Sequence, residues 1–298
     1  MSKAKLAIAL IVLSVATVAW AVPGTGSAQA VLPIRLRDDR ERGLTATAWI
    51  NGAGPFVFAV DTGAGVSLIN RSVVERARLT VTKSRRPLVG GLSTQPIVSN
   101  EEARLSGLSL GTPNNRISTN AVAAVVPSLP GSIDGILDPT DVFSPLGFSV
   151  DLPRQELRVF DANKQGLRLD QAPRDGAVVR WVREAGNNRP FVRLSDGRLA
   201  LLDTGSGLGL ALNETSVGRN HRDGNNRSDL GGGRVQSREV APQTVSIGAL
   251  VLRNVPTDVL TGVAPGTPII LGRRALFPFK ITFDPVARLI SFEPADRD

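Results

Sequence analysis

An all-β chain of two similar lobes is predicted here, on three observations. The triplet Asp-Thr-Gly occurs twice, at Asp61 and Asp203, each time after an apolar run and before a second small-residue pair. Hydrophobic residues alternate with a period of two through short β-branched runs, broken by frequent Gly and Pro. Landmarks also recur at matched distances: the triplets lie 142 residues apart, and a glycine-rich segment follows each Asp by 29 positions, at Gly90 and Gly232.

The elements follow in order. Residues 1–30 read as an export signal: Lys3 and Lys5, an uncharged apolar stretch from Leu6 to Val22, then Ala28-Gln29-Ala30 as a cleavage site, with Ala19-Trp20-Ala21 as a second cut. A retained membrane tether through residues 6–22 is the other reading of that stretch. Residues 31–162 form the expected first lobe. It holds a strand from Phe56 to Val60, Asp61, a short helix from Ser72 to Leu79 and the glycine pair Gly90-Gly91. An Ile-Leu pair at 136–137 and a hairpin to Phe160 complete it. Residues 163–175, polar and containing Pro173, are the expected connection. Residues 176–298 repeat the plan: a strand from Leu199 to Leu202, Asp203, the glycines Gly231 and Gly232, Ile270-Leu271-Gly272 and a hairpin to Phe292. Each final hairpin turns at Asp-x-Pro or Asp-Pro.

Composition removes several classes of function. With 298 residues and 42% hydrophobic content there is material for two ordinary domains. The chain has no cysteine, which excludes a thiol nucleophile and thiolate metal sites and, beside an export signal, suits a bacterial periplasm. The net charge of +8 raises nucleic-acid binding, but aromatics are 4%, tyrosine is absent and the arginines are scattered among acids. His221 is the only histidine, so a zinc site or a serine–histidine triad has too few members, and a solvated loop residue is expected. Ser109 sits in a Gly-x-Ser-x-Gly string, yet Thr112-Pro113 follows where a nucleophile elbow needs a helix. Asp134, Asp138 and Asp141 lack the spacing of a calcium loop and are expected as surface carboxylates. No metal, nucleotide or flavin is implied.

These residues resemble the aspartic peptidases, in particular their bacterial retropepsin-like and pepsin-like members, over residues 44–163 and 176–294. The resemblance implies bilobal β-barrels related by internal duplication, with Asp61 and Asp203 as the catalytic pair. It also implies a loop support of Thr62, Gly63, Thr204, Gly205 and Ser206, with the threonines locking the two loops together. Gly90, Gly91, Gly231 and Gly232 would lie on substrate-binding flaps. With both triplets in one chain, a monomer is expected. Three features depart from the family pattern. Asp138 stands where a glycine is usual, so either Gly135 takes over with a register shift or Asp138 is tolerated at the edge. No tyrosine tips the flap, which favours a two-flap retropepsin-like arrangement. Ala64 and Ser206 also differ.

Such a pair suits amide hydrolysis without a covalent intermediate. Two carboxylates about 3 Å apart cannot both ionise and share a proton, a rule usually illustrated by this very family. One takes a proton from water while the other donates to the carbonyl oxygen. Glycine after each Thr is expected to allow a tight turn. A Ser206 hydroxyl donating to Asp203, with no equivalent at Ala64, would leave Asp203 ionised and the proton on Asp61. The expected activity is an exported, periplasmic or secreted endopeptidase acting on extended peptides. A binding protein with decayed catalysis on the same fold is the alternative.

Overall fold

The computed structural model describes residues 31–298 apart from 40–41, 93, 95–96, 185–187, 214–224, 229–233 and 296–298. The expected export signal, His221, Gly231 and Gly232 lie outside the described residues.

The first half opens with β1 (Ile34–Arg35) and β2 (Arg37–Asp39), followed by the hairpin β3 (Gly43–Ile50) and β4 (Ala53–Val60). Asn51 and Gly52, with φ of 49° and 77°, make its left-handed turn. Successive side chains of β4 enter two apolar environments. Phe56, Phe58 and Val60 join the main core, while Val57 and Ala59 belong to a smaller cluster on the opposite face. Burial on both faces accounts for the unbroken apolar run before Asp61. Next come β5 (Ser67–Asn70) and α1 (Arg71–Ala77), which buries Val73, Val74 and Ala77. The helix stops two residues short of the predicted Leu79. Arg78 takes a left-handed φ of 51°, and its N–H returns to Glu75 O at 3.2 Å. The half continues through the hairpin β6 (Val81–Gly90) and β7 (Ile97–Arg104), then β8 (Ser109–Leu110), β9 (Val122–Val126), β10 (Gly135–Leu137) and α2 (Pro139–Val142). It closes on the hairpin β11 (Gly147–Asp151) and β12 (Glu156–Phe160).

Residues 161–176 carry no strand, but they are held: the Leu167 N–H donates to Asp284 Oδ2 at 2.8 Å. The second half contains β13 (Ala177–Arg180), β14 (Phe191–Arg193), β15 (Leu199–Asp203), β16 (Leu210–Asn213) and β17 (Asn225–Ser228). A long pair follows, β18 (Arg234–Ile247) and β19 (Leu250–Thr261), turning at Gly248 with φ of 58°. Then come β20 (Ile269–Gly272), α3 (Arg273–Leu276), β21 (Phe279–Asp284) and β22 (Leu289–Pro294).

The fold is all-β, and among the described residues its strands form three sheets. In the first, β4 runs parallel to β10, β10 antiparallel to β5, and β5 parallel to β9. In the second, β15, β20, β16 and β19 show the same neighbours in the same senses. The third sheet, ordered β1-β12-β11-β21-β22-β13, takes strands from both halves. Its central join pairs Phe148 with Phe283, and the rings stack at 4.6 Å between centroids. Both side chains are fully buried, worth about 1.5–3 kcal/mol each relative to exposure. One apolar core runs beneath all three sheets.

Candidate active site

Asp61 follows β4 directly, and Asp203 is the last residue of β15, so two interior strands deliver the two carboxyls. The Asp61 N–H donates to Leu137 O at 3.0 Å, while Asp203 stands opposite Gly272 in the β15–β20 pairing. The triplets meet through their threonines. Thr62 N–H donates to Thr204 Oγ1 and Thr204 N–H to Thr62 Oγ1, both at 3.1 Å. Each hydroxyl then donates onward, Thr62 to Leu202 O at 2.7 Å and Thr204 to Val60 O at 2.9 Å. Both threonines are fully buried, where an orphaned polar group costs about 1–3 kcal/mol.

The glycines sit in the expected tight turns, closed by Ala64 N–H to Asp61 O at 3.4 Å and Ser206 N–H to Asp203 O at 3.3 Å, and neither Gly63 nor Gly205 needs a left-handed φ there. They make room for the opposite aspartate. A β-carbon on Gly63 would stand 2.6 Å from the Asp203 carboxyl carbon, and one on Gly205 would collide with the Asp61 carboxyl.

Gly63 N–H donates to Asp61 Oδ1 at 2.8 Å, and Ser206 N–H donates to Asp203 Oδ1 at 2.9 Å. Ser206 thus serves Asp203 through its main-chain N–H, and its hydroxyl oxygen accepts from Leu208 N–H at 3.3 Å. The Asp61 carboxyl is held well above the ordinary carboxylate range. Burial is the main cause, followed by the charge of Asp203 and a hydrogen bond with its carboxyl, against a pull downward from the Gly63 N–H. Asp138 adds a smaller upward push.

Asp138 corrects two expectations. It is 1% exposed rather than a surface carboxylate, and it sits without any register shift where Gly272 sits in the second half. Leu137 pairs with Val60 just as Leu271 pairs with Leu202. Asp138 caps α2: Oδ1 accepts from Thr140 N–H at 2.9 Å and from the Thr140 hydroxyl at 2.7 Å. Burial raises its pKa to about 7. Gly135 has its own role, because a β-carbon there would strike the Phe58 ring.

Arg273 is a residue that the sequence reading missed. It is 8% exposed, and its Nη1 donates to Thr204 O at 2.9 Å and Gly205 O at 3.1 Å. Its Nε lies 3.4 Å from Asp38 Oδ1, joining the second triplet to β2 of the first half. The Gly-Arg pair that opens α3 was the available signal, since a long cation beside a buried turn has carbonyls within reach.

Of the flap glycines, Gly90 ends β6 opposite Ile97, and Gly91 follows it with φ of 99°. The tip of that hairpin reaches the second half. Leu92 O accepts from Ala264 N–H at 2.9 Å, and Thr94 N–H donates to Gly262 O at 3.2 Å. Leu92 packs against a cluster of Leu208, Ala211, Leu260 and Ile270. Ser109 is buried in β8 opposite Trp49 on β3, in a strand rather than an elbow. Among the described residues, no group of acidic or histidine side chains is arranged to hold a metal ion, and no helix is long and apolar enough to cross a membrane.

Residues 46–138 match the family model for aspartyl proteases, a span running from β3 through Asp61 and the β6–β7 hairpin to Asp138. No curated protein matches the chain. That match lies on the segment bearing the first triplet, and over that segment the chain is similar to the aspartic peptidases of the retropepsin-like kind, which supports a protease.

Proposed function

We propose that the protein is an exported endopeptidase that hydrolyses peptide bonds with a water activated between Asp61 and Asp203. The observation that carries this reading is the hydrogen-bonded carboxyl pair at the interlocked triplets, with the proton affinity of Asp61 raised by burial and by its partner. With its proton affinity raised, Asp61 holds the shared proton, which leaves the charge on its partner Asp203. Asp203 takes a proton from water as its oxygen attacks the carbonyl carbon, and Asp61 donates to the carbonyl oxygen. Collapse of the tetrahedral species breaks the C–N bond as Asp203 passes its proton to the amine and a hydroxyl returns its proton to Asp61, restoring the pair. Each positioned transfer contributes about two to four orders of magnitude in rate. An extended peptide suits this site, because the β6–β7 hairpin offers its backbone strands to pair with. Export rests on the signal-like residues 1–30, and the peptide is the expected partner.

The test is hydrolysis of a mixed peptide library with and without a statine-type transition-state mimic. Asp61→Asn and Asp203→Asn should each lower kcat/KM by at least about 10³-fold. Cleavage that survives both changes excludes this mechanism, and cleavage lost in both excludes a binding-only protein. N-terminal sequencing of the protein recovered from the periplasm decides between a removed signal and a retained tether.

A further inference from the structure

The turns behind the two aspartates carry different hydrogen bonds. In the second half three consecutive N–H groups tie down the segment that follows Asp203. Gly272 donates to Gly209 O at 2.8 Å, Arg273 to Ser206 O at 2.9 Å and Arg274 to Leu208 O at 3.1 Å. The segment lies so close that a β-carbon on Gly272 would stand 2.5 Å from Leu208 O. In the first half the same three positions are Asp138, Pro139 and Thr140. Asp138 N–H donates to Ser67 Oγ at 3.0 Å, and Thr140 N–H turns back to Asp138 Oδ1 at 2.9 Å. Pro139 has no N–H to give. The ladder of main-chain tethers in the second half is thus replaced by bonds that centre on one residue.

We infer that Asp138 is a positioning residue for Asp61, its carboxyl fixing the turn whose preceding carbonyl holds the Asp61 N–H. The inference rests on the reading of Asp61 and Asp203 as the catalytic pair. Leu137 O, one residue before Asp138, accepts the Asp61 N–H at 3.0 Å. The orientation of the Leu137–Asp138 peptide therefore sets where Asp61 stands. Three bonds fix that peptide from the far side: Asp138 N–H to the buried Ser67 hydroxyl, and both donors of Thr140 to the Asp138 carboxyl. Without the carboxyl, α2 loses its cap, two buried donors lose their acceptor and the peptide is held on that side by the Ser67 bond alone. Below neutral pH burial keeps this carboxyl protonated, so it holds the turn without adding a charge beside the pair. Asp141 on α2 pushes its proton affinity further up, and Asp138 when ionised pushes that of Asp61 up.

The test compares wild type, Asp138→Ala and Asp138→Asn by amide hydrogen exchange and by steady-state kinetics. In Asp138→Ala the Asp61 N–H should exchange about tenfold faster or more, with the Thr204 N–H changed by less than about twofold. The same variant should lose about tenfold in kcat with KM within about twofold. Asp138→Asn keeps an oxygen for Thr140, so it should return both readouts to within about threefold of wild type. Unchanged protection of the Asp61 N–H in Asp138→Ala overturns the inference, as does an Asn variant as impaired as the Ala variant. Should Asp138→Ala not fold, Thr140→Val removes one donor to the carboxyl and should speed Asp61 exchange by about two- to threefold, with no change overturning the inference. Exchange needs no turnover: an inactive wild type would defeat the peptidase reading and leave this test standing.

Discussion

Around Asp203 the turn at Gly272 and Arg273 grips the neighbouring segment with main-chain and guanidinium donors; around Asp61 the turn at Asp138 and Pro139 relies on a carboxyl. The strands that carry the two turns have the same order and the same senses. Equal scaffolds therefore do not mean equal anchoring. Glycine at 272 permits a close approach that a side chain would block, and the N–H groups of residues 272–274 all reach carbonyls as a result. Aspartate at 138 occupies that space in the first half and serves as acceptor itself. One aspartate is held by groups that do not titrate, the other by one that does.

That contrast is sharpest in its dependence on pH. Folded, Asp138 keeps its proton up to about 7, whereas an unfolded chain releases it near 3.8. The stabilisation from this proton is complete below the unfolded value and is lost as pH rises through the folded one. It amounts to about 4 kcal/mol at 1.36 kcal/mol per unit. Denaturant unfolding should show Asp138→Asn gaining on wild type by about 4 kcal/mol between about pH 4 and pH 7, then levelling. A gap that stays constant with pH would break the comparison. Exchanging the residues probes it next. Gly272→Asp places a β-carbon 2.5 Å from Leu208 O and should cost about 3 kcal/mol of stability, measured by thermal unfolding. The reciprocal Asp138→Gly should cost about 1 kcal/mol at about pH 4, the value of a lost helix cap. Equal costs would mean that the two turns are equivalent after all. An effect of similar size belongs to Arg273→Lys, which keeps the charge and loses the fork whose Nη1 spans two carbonyls. About 1 kcal/mol of stability and a few-fold in kcat should go, and a larger loss would make the guanidinium the main anchor of the second loop.

The sequence displays some of this arrangement and hides the rest, for reasons that differ by residue. The paired Asp-Thr-Gly triplets, the final hairpins and the all-β class are local patterns, readable because strand alternation and turn chemistry act within a few residues. The threonine interlock joins positions 142 residues apart, and only the family resemblance pointed to it. Asp138 reads as a surface carboxylate because burial is set by the strands on either side, not by its neighbours in sequence. Its role as a cap was nonetheless written in Asp138-Pro139-Thr140, an N-cap residue followed by proline at the first helical position. Arg273 looks like one more scattered arginine in a basic chain until α3 brings it beneath the second triplet. At Ser206 the hydroxyl drew attention as a side-chain donor, and it is the main-chain N–H, invisible to residue identity, that reaches Asp203.

The sheet that joins β11 to β21 carries a consequence for how such a cleft can change over generations. Because the two aspartates and their turns are written at separate places in one reading frame, a substitution at position 138 leaves position 272 untouched. An enzyme assembled from two identical subunits would have to accept a buried ionisable group on both sides of its cleft, or on neither.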